Sequence, residues 1–255
     1  MDSHKHTSMA TKLNLNAKYS TDAKAFKTKL LDDNFYYGPV REYVLSASNI
    51  GNILDGTFGQ DSTNEWKIHY EIGKLFHVQT LEPLKLENFE IVDVERRKPG
   101  DQYIKLSEAE MVKSMKVSHD SNIEARGVLY GPGVSYEIPG YVVVEDVLFI
   151  GKADIMNPMI GYIGDLKSTR SIDSFEESIR KWYGPQLWLY FKIFGYPTIY
   201  IATEKNTEPQ TAVISPAKHH YAMGKAQVLE AIEIFKRDHP EMYKRNQQLK
   251  QSLGL

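Results

Sequence analysis

The chain has 255 residues, 42% of them hydrophobic and 25% charged, enough for one large soluble domain with a substantial core, or at most two small ones. No apolar run approaches the roughly 20 residues that cross a bilayer, and the amino terminus lacks the apolar stretch of a signal peptide, so neither a membrane anchor nor secretion is expected. The absence of cysteine excludes disulfides, a thiol nucleophile and iron–sulfur ligation, and a net charge of −2 argues against holding nucleic acid by charge alone, though not against an enzyme that gathers acidic ligands.

Residues 1–20 read as a polar, disordered tail ahead of a single domain over 21–255. Residues 22–31 have helical character and lead into turn-forming pairs at Asp33-Asn34 and Gly38-Pro39. Ser46, Ala47, Ser48 and Asn49 read as the cap of a short helix ending near Gly56, because such side chains satisfy the free amides of a helix start. Trp66, Tyr70, Ile72, Leu75 and Phe76 recur at near-helical spacing, which predicts a helix over 65–81 that Pro83 ends. A strand is expected over 89–94 and a helix over 107–115, with Ser107 and Glu110 spaced as a capping box.

Beyond residue 132 the pattern changes. Residues 134–138, 141–144, 147–155 and 160–167 are β-rich segments broken by Gly, Pro and an Asn-Pro pair. Gly140 and the pair Glu145-Asp146 suit tight turns, so an antiparallel meander is expected. Helices over 174–182 and 185–194 follow, with Pro185 suited to a first helical turn. Strands over 198–202 and 211–214, a helix over 216–236 and a polar helical tail complete the chain. This order predicts an α/β fold, one domain with a mixed central sheet flanked by helices.

The stretch GKADIMNPMIGYIGDLKST, residues 151–169, carries the chemistry. Asp165 and Lys167 lie two apart on a predicted strand and so point to one face. If that strand pairs with the one before it, Asp154 lies beside Asp165. Two carboxylates and an ammonium in one small volume suit phosphodiester hydrolysis: the carboxylates hold hard divalent cations, and a lysine orients or deprotonates the attacking water. With no thiolate available, Mg2+ is the expected metal, with Mn2+ as its substitute. The same D-x-K spacing also occurs as an ordinary cross-strand pair on a surface hairpin. Gly-Lys-Ala-Asp upstream at hairpin distance, and apolar Ile160 and Ile163 placing the strand inside the sheet, favour a site, because unpaired buried charge is costly.

The succession G-x-x-D, D-L-K-S-T and Q-x-x-x-Y resembles that of PD-(D/E)XK nucleases, more narrowly the RecE-type and lambda-type exonucleases of phage recombination systems, relatives of the RecB nuclease domain. Four further segments resemble the family in its order: Leu45-Ser46-Ala47-Ser48 its opening S-x-S helix, Gly73 and His77 with Leu81-Glu82-Pro83 its G-x-x-x-H…L-E-P helix, Ser135-Tyr136-Glu137 its glutamate-bearing strand, and Gln186 with Tyr190 its later helix. The resemblance spans about residues 43–240. It implies that Asp154 and Asp165 ligate metal together with the main-chain carbonyl of Leu166, that His77 adds an imidazole, and that Lys167 serves the water nucleophile. Glu137 would be a further carboxylate of the centre. Gln186 and Tyr190 would face the DNA backbone, with Ser168, Thr169 and Arg170 beside them.

Each residue also has a plainer reading. His77 could be a helix-boundary residue, Glu137 an exposed strand residue and Tyr190 part of the core. Trp66, Trp182 and Trp188 read as packing, and His219 with His220 as surface, because adjacent histidines rarely face one metal. Asp165 stands where many relatives carry Glu. The implied activity is degradation of double-stranded DNA from its ends, 5′ to 3′, leaving 3′ single strands for an annealing protein. The implied assembly is a homotrimeric or homotetrameric ring, in the cytoplasm of a bacterial or phage-infected cell. The alternatives are an endonuclease or single-strand nuclease on the same fold, or a DNA-binding module that does not cut.

Overall fold

The computed structural model describes residues 23–59, 67–98 and 100–255; the expected tail over 1–20 and Trp66 lie outside the described residues. Three helices open it. Helix α1 (Ala23–Lys29) is followed by α2 (Asp33–Tyr36), a single turn where only a bend was expected. The Asp32 carboxylate starts it by accepting the Asn34 N–H at 2.9 Å. Helix α3 (Ala47–Leu54) begins after Ser46, whose N–H is accepted by the Asn49 side chain at 2.7 Å, closing a donor that would otherwise be unpaired.

Helix α4 (Ile68–Leu81) carries the apolar face expected of it and stops ahead of Pro83. The strand expected over 89–94 is shorter: β1 (Ile91–Val92) pairs in parallel with β2 (Ile104–Lys105), which is too brief to show a period in the sequence. Helix α5 (Leu106–Ser121) starts earlier than expected. Glu108 rather than Glu110 reaches back, accepting the Lys105 N–H at 2.8 Å. Helix α6 (Ile123–Tyr130), which the periodicity did not reveal, is capped by Asn122 at 2.9 Å from the Ala125 N–H.

The sheet is five-stranded and mixed, in the order β3 (Ser135–Val144), β4 (Val147–Asn157), β5 (Tyr162–Thr169), β6 (Thr198–Glu204), β7 (Thr211–Ile214). All neighbours are antiparallel except β5 and β6. Glu145 and Asp146 turn the β3–β4 hairpin with φ of 44° and 66°, the left-handed pair that a two-residue hairpin needs. Gly140 does not turn the chain. It lies within β3 opposite Gly151, and a Cβ on either would run into Ile193; the missing side chains let a helix settle onto the sheet. Ile160 also departs from expectation. It is 69% exposed in the β4–β5 turn, whereas Ile163 is fully buried.

The parallel crossover from β5 to β6 runs through α7 (Phe175–Ser178), a π-helical turn at Ile179–Tyr183, and α8 (Gly184–Phe194). Pro185 lacks an N–H and its ring crowds the carbonyl one turn back. The wider π turn just before it accommodates both, so two expected helices form one bent rod. Helices α9 (Lys218–Asp238) and α10 (Pro240–Ser252) close the chain. Helices α4, α5 and α6 cover one face of the sheet through Phe76, Met115, Leu129 and Leu166. Helices α3, α8 and α9 pack on the other through Ile50, Phe149, Leu189 and Ile232. Among the described residues no helix is long and apolar enough to cross a membrane.

Candidate active site

Strands β4 and β5 pair as Asn157↔Tyr162, Met156↔Ile163 and Ile155↔Gly164, and then part. One further step would set Asp154 against Asp165. There the Asp154 carboxylate enters the gap and accepts the Leu166 N–H at 2.9 Å, taking the place of a ladder bond. Asp165 and Lys167 share a face of β5, with Nζ 2.9 Å from Oδ1 and 2.8 Å from Oδ2 of the carboxylate. The two aspartates and the lysine therefore meet at one point, on the mouth of a hairpin that is zipped at its other end.

Their titration reflects crowding. Burial pushes the Asp165 carboxyl above its usual range; the Lys167 ammonium opposes this and the neighbouring Asp154 charge adds to it. Burial acts upward on Asp154 too, yet the His77 imidazolium and Lys167 hold it well below the usual range. Burial alone would depress Lys167, but Asp165 and Asp154 keep it raised, so at neutral pH it is an ammonium.

Helix α4 brings His77 to the same point. Its Nε2 lies 3.4 Å from Asp154 Oδ1 and 3.4 Å from Glu137 Oε1, with Nδ1 4.0 Å from Glu82 Oε2. Burial disfavours its charge, but Asp154, Glu137 and Glu82 outweigh that and raise its pKa to about 9. Glu137 faces Asp154 across the β3–β4 pair, between Tyr136↔Ile155 and Ile138↔Ala153. Its φ of 52° interrupts the ladder there, a backbone strain of about 1–3 kcal/mol for a residue other than glycine.

The donor set fits a divalent cation. Ligand atoms of His77, Glu137 and Asp154 lie within 4.8 Å of one another, and Glu137 Oε1 is buried without a hydrogen-bond partner. Its neighbour is the His77 imidazole at 3.4 Å; a buried carboxylate oxygen without a hydrogen bond is costly, and a hard cation at oxygen-ligand distance would satisfy it. Leu166 is joined to the cluster through its N–H.

Sequence reasoning missed the second ring of charge. Lys152 Nζ lies 3.1 Å from Glu137 Oε2 and 2.6 Å from Asp33 Oδ1; Lys85 Nζ lies 2.5 Å from Asp33 Oδ2 and also pairs with Glu82. With His77 these residues close a cycle of alternating charge: Glu82, His77, Glu137, Lys152, Asp33, Lys85. Lys152 had a signal in the sequence, since it stands two residues before Asp154 on one strand. Asp33 and Lys85 had none.

Around the cluster two cavities of about 380 and 500 Å³ open, both lined by Tyr37, Asp154, Lys167, Tyr183 and Gln186. Arg41, Ser46 and Ser48 line the first, and Lys74, Ser168 and Lys205 the second. The π turn and Pro185 aim Gln186 into both. Tyr190 is buried and its hydroxyl donates to the Lys152 carbonyl at 2.6 Å, bracing β4 from beneath. The Thr169 hydroxyl donates to the Ser171 carbonyl at 3.1 Å, while Arg170 is exposed beside Lys205. Trp182, expected to pack inside, is 58% exposed on the rim of the first cavity. Trp188 does pack against the core. His219 is exposed as expected, but His220 is buried.

No family model and no curated protein matches the chain. Solved structures do. A provisionally named exonuclease from Eubacterium rectale superposes with a TM-score of 0.57 at 15% identity, over 84% of this chain and 85% of that one. SSO0001 matches with a TM-score of 0.45 at 10% identity, over 85% and 88% of the two chains. A phage-related exonuclease from Haemophilus somnus 129PT matches with a TM-score of 0.35 at 14% identity, over 78% and 96%. The first of these likenesses shows a shared fold.

Proposed function

We propose that the chain is a metal-dependent nuclease of the PD-(D/E)XK type that hydrolyses phosphodiester bonds of DNA. One observation carries this reading: Asp154, Asp165 and Lys167 meet where β4 and β5 part, with His77 and a Glu137 oxygen that has no hydrogen bond against them. The fold shared with a protein named as an exonuclease supports it.

Asp154, Asp165, His77, Glu137 and the Leu166 carbonyl would hold Mg2+, or Mn2+ in its place. A bound divalent cation supplies there an acidified water and charge to offset the phosphate. The chain's own groups do the rest. Lys167 would orient the water nucleophile and offset charge on the phosphate. Lys152 pairs with Glu137 from behind and offsets part of the repulsion and burial that raise the Glu137 carboxyl. Arg41, Ser46, Ser48 and Gln186 offer donors along the cavity for phosphate oxygens.

The fuller reading is an exonuclease on double-stranded ends, 5′ to 3′, feeding an annealing protein, assembled as a trimeric or tetrameric ring. The resemblance in sequence carries polarity, partner and ring. A net charge of −2 makes a processive monomer a poor holder of DNA at moderate salt, and a closed ring concentrates scattered basic residues inwards. A single-strand nuclease is the second reading, favoured by Tyr37 and Trp182, 62% and 58% exposed at the rim, where unpaired bases could stack. Linear duplex labelled at either end, single strands, and closed circular duplex as control separate these readings. Magnesium-dependent loss of the 5′ label from linear duplex alone, abolished by EDTA, is expected. Equal cutting of circles contradicts the exonuclease, and a monomer mass by light scattering contradicts the ring.

A further inference from the structure

We propose a second metal site, built from residues the first does not use: Glu176, His219 and His220 clamp one borderline divalent cation of the zinc class between α7 and the first turn of α9. One ligand atom from each residue lies within 4.8 Å of the others. His220 Nε2 stands 3.8 Å from Glu176 Oε1, too far for a hydrogen bond. Two atoms each bonded to one tetrahedral zinc at about 2.0–2.1 Å stand about 3.4 Å apart, so a small side-chain adjustment closes the site.

The independent observation is His220 itself. It is 3% exposed, and neither of its ring nitrogens has a hydrogen-bond partner, an unsatisfied burial that calls for a ligand. Consecutive histidines on a helix ordinarily point apart, but here the two rings lie together, with centroids 3.9 Å apart and tilted by 42°; two imidazoles on one tetrahedral ion hold their centroids about 5 Å apart, so the exposed His219 ring must swing outwards to share it.

The surroundings select the ion. The start of α9 is the positive end of a helix dipole, and Arg180 adds positive charge nearby. That positive charge opposes any cation, so the ion must be one whose bonds to two imidazoles outweigh it, which favours the zinc class over magnesium or calcium. Occupancy would tie α7, and through the π turn Tyr183 and Gln186, to α9. Helix α8 already touches α9 backbone to backbone at Gly184 and Gly224, where a Cβ on Gly224 would overlap the Gly184 carbonyl.

The test is zinc binding by the metal-stripped full chain carrying Asp154→Ala and Asp165→Ala, followed by calorimetry and thermal melting. One bound zinc and a raised Tm are expected, with affinity at least tenfold weaker after His219→Ala or Glu176→Gln, both at exposed side chains. If the double variant melts without cooperativity, the wild-type chain is titrated instead, and His219→Ala is expected to remove one zinc equivalent. Zinc binding that neither substitution weakens, or no zinc bound outside the first centre, overturns the proposal.

Discussion

The Asp154 carboxylate and the Leu166 N–H are hydrogen-bonded at 2.9 Å, at the point where the β4–β5 ladder ends. The residue that offers a metal ligand thus also braces the split that makes room for one. The two roles separate by substitution. Asp154→Asn retains an acceptor for the N–H but gives up the charge that His77 and Lys167 stabilise, so it should destabilise the metal-free fold, and Asp154→Ala should cost about 1–3 kcal/mol more because it also leaves that donor unpaired. Both should lose hydrolysis. Urea unfolding alongside an end-labelled DNA assay reads this, and an active Asp154→Asn enzyme would show that the charge is not needed.

Lys152 should prove as important to stability as its neighbours are to activity. Its ammonium is 8% exposed and joins Glu137 to Asp33. Lys152→Met keeps the stem but leaves Glu137 to His77 and the partly solvated Asp33 to Lys85 alone, so a loss of about 3 kcal/mol at most is expected, the low end for breaking a buried pair. Glu137→Gln should recover part of that loss. A double-mutant cycle with no coupling between the two would place their contact outside the energetics of the fold.

His77 links stability, metal and pH. Its pKa of about 9 in the folded chain lies above the unfolded value near 6.5. Its contribution to the metal-free fold is therefore complete below about pH 6.5 and is lost as pH rises through 9. Metal requires the neutral imidazole, so binding at pH 7.5 should expel a proton from His77. Calorimetry in buffers of different ionisation enthalpy should show about one proton fewer released by His77→Gln. An unchanged release returns His77 to a structural role.

Local chemistry was legible in the sequence and long-range chemistry was not. Asp165 and Lys167 lie two apart on one strand, and the distance from Asp154 fits a hairpin, so alternation alone brings them together. The charge cycle behind Glu137 depends on Asp33 and Lys85, which arrive from segments 119 residues before Lys152 and 52 residues after Asp33; no local period encodes such meetings. Gly140 misled for a related reason. A glycine in a strand looks like a turn until the helix packed over it is seen. Strand β2 and helix α6 were too short or too weakly patterned to register.

The single-strand reading rests on Trp182 and Tyr37. Trp182 is exposed at the cavity rim, with the Lys181 ammonium 4.7 Å above its ring. If bases stack there, Trp182→Ala should weaken single-strand binding by about 1–3 kcal/mol while leaving stability within about 0.5 kcal/mol. Fluorescence anisotropy with a labelled oligonucleotide in EDTA measures the first and a thermal melt the second. Unaltered affinity would make the indole a bystander.

The central claim is that hydrolysis happens at Asp165 and Lys167. Purified Asp165→Ala and Lys167→Ala, each with a wild-type secondary structure by circular dichroism, should be compared with the parent on linear duplex in magnesium. The account predicts a loss on the order of a thousandfold or more for each, with the parent silenced by EDTA. Near-parental turnover from Asp165→Ala contradicts it.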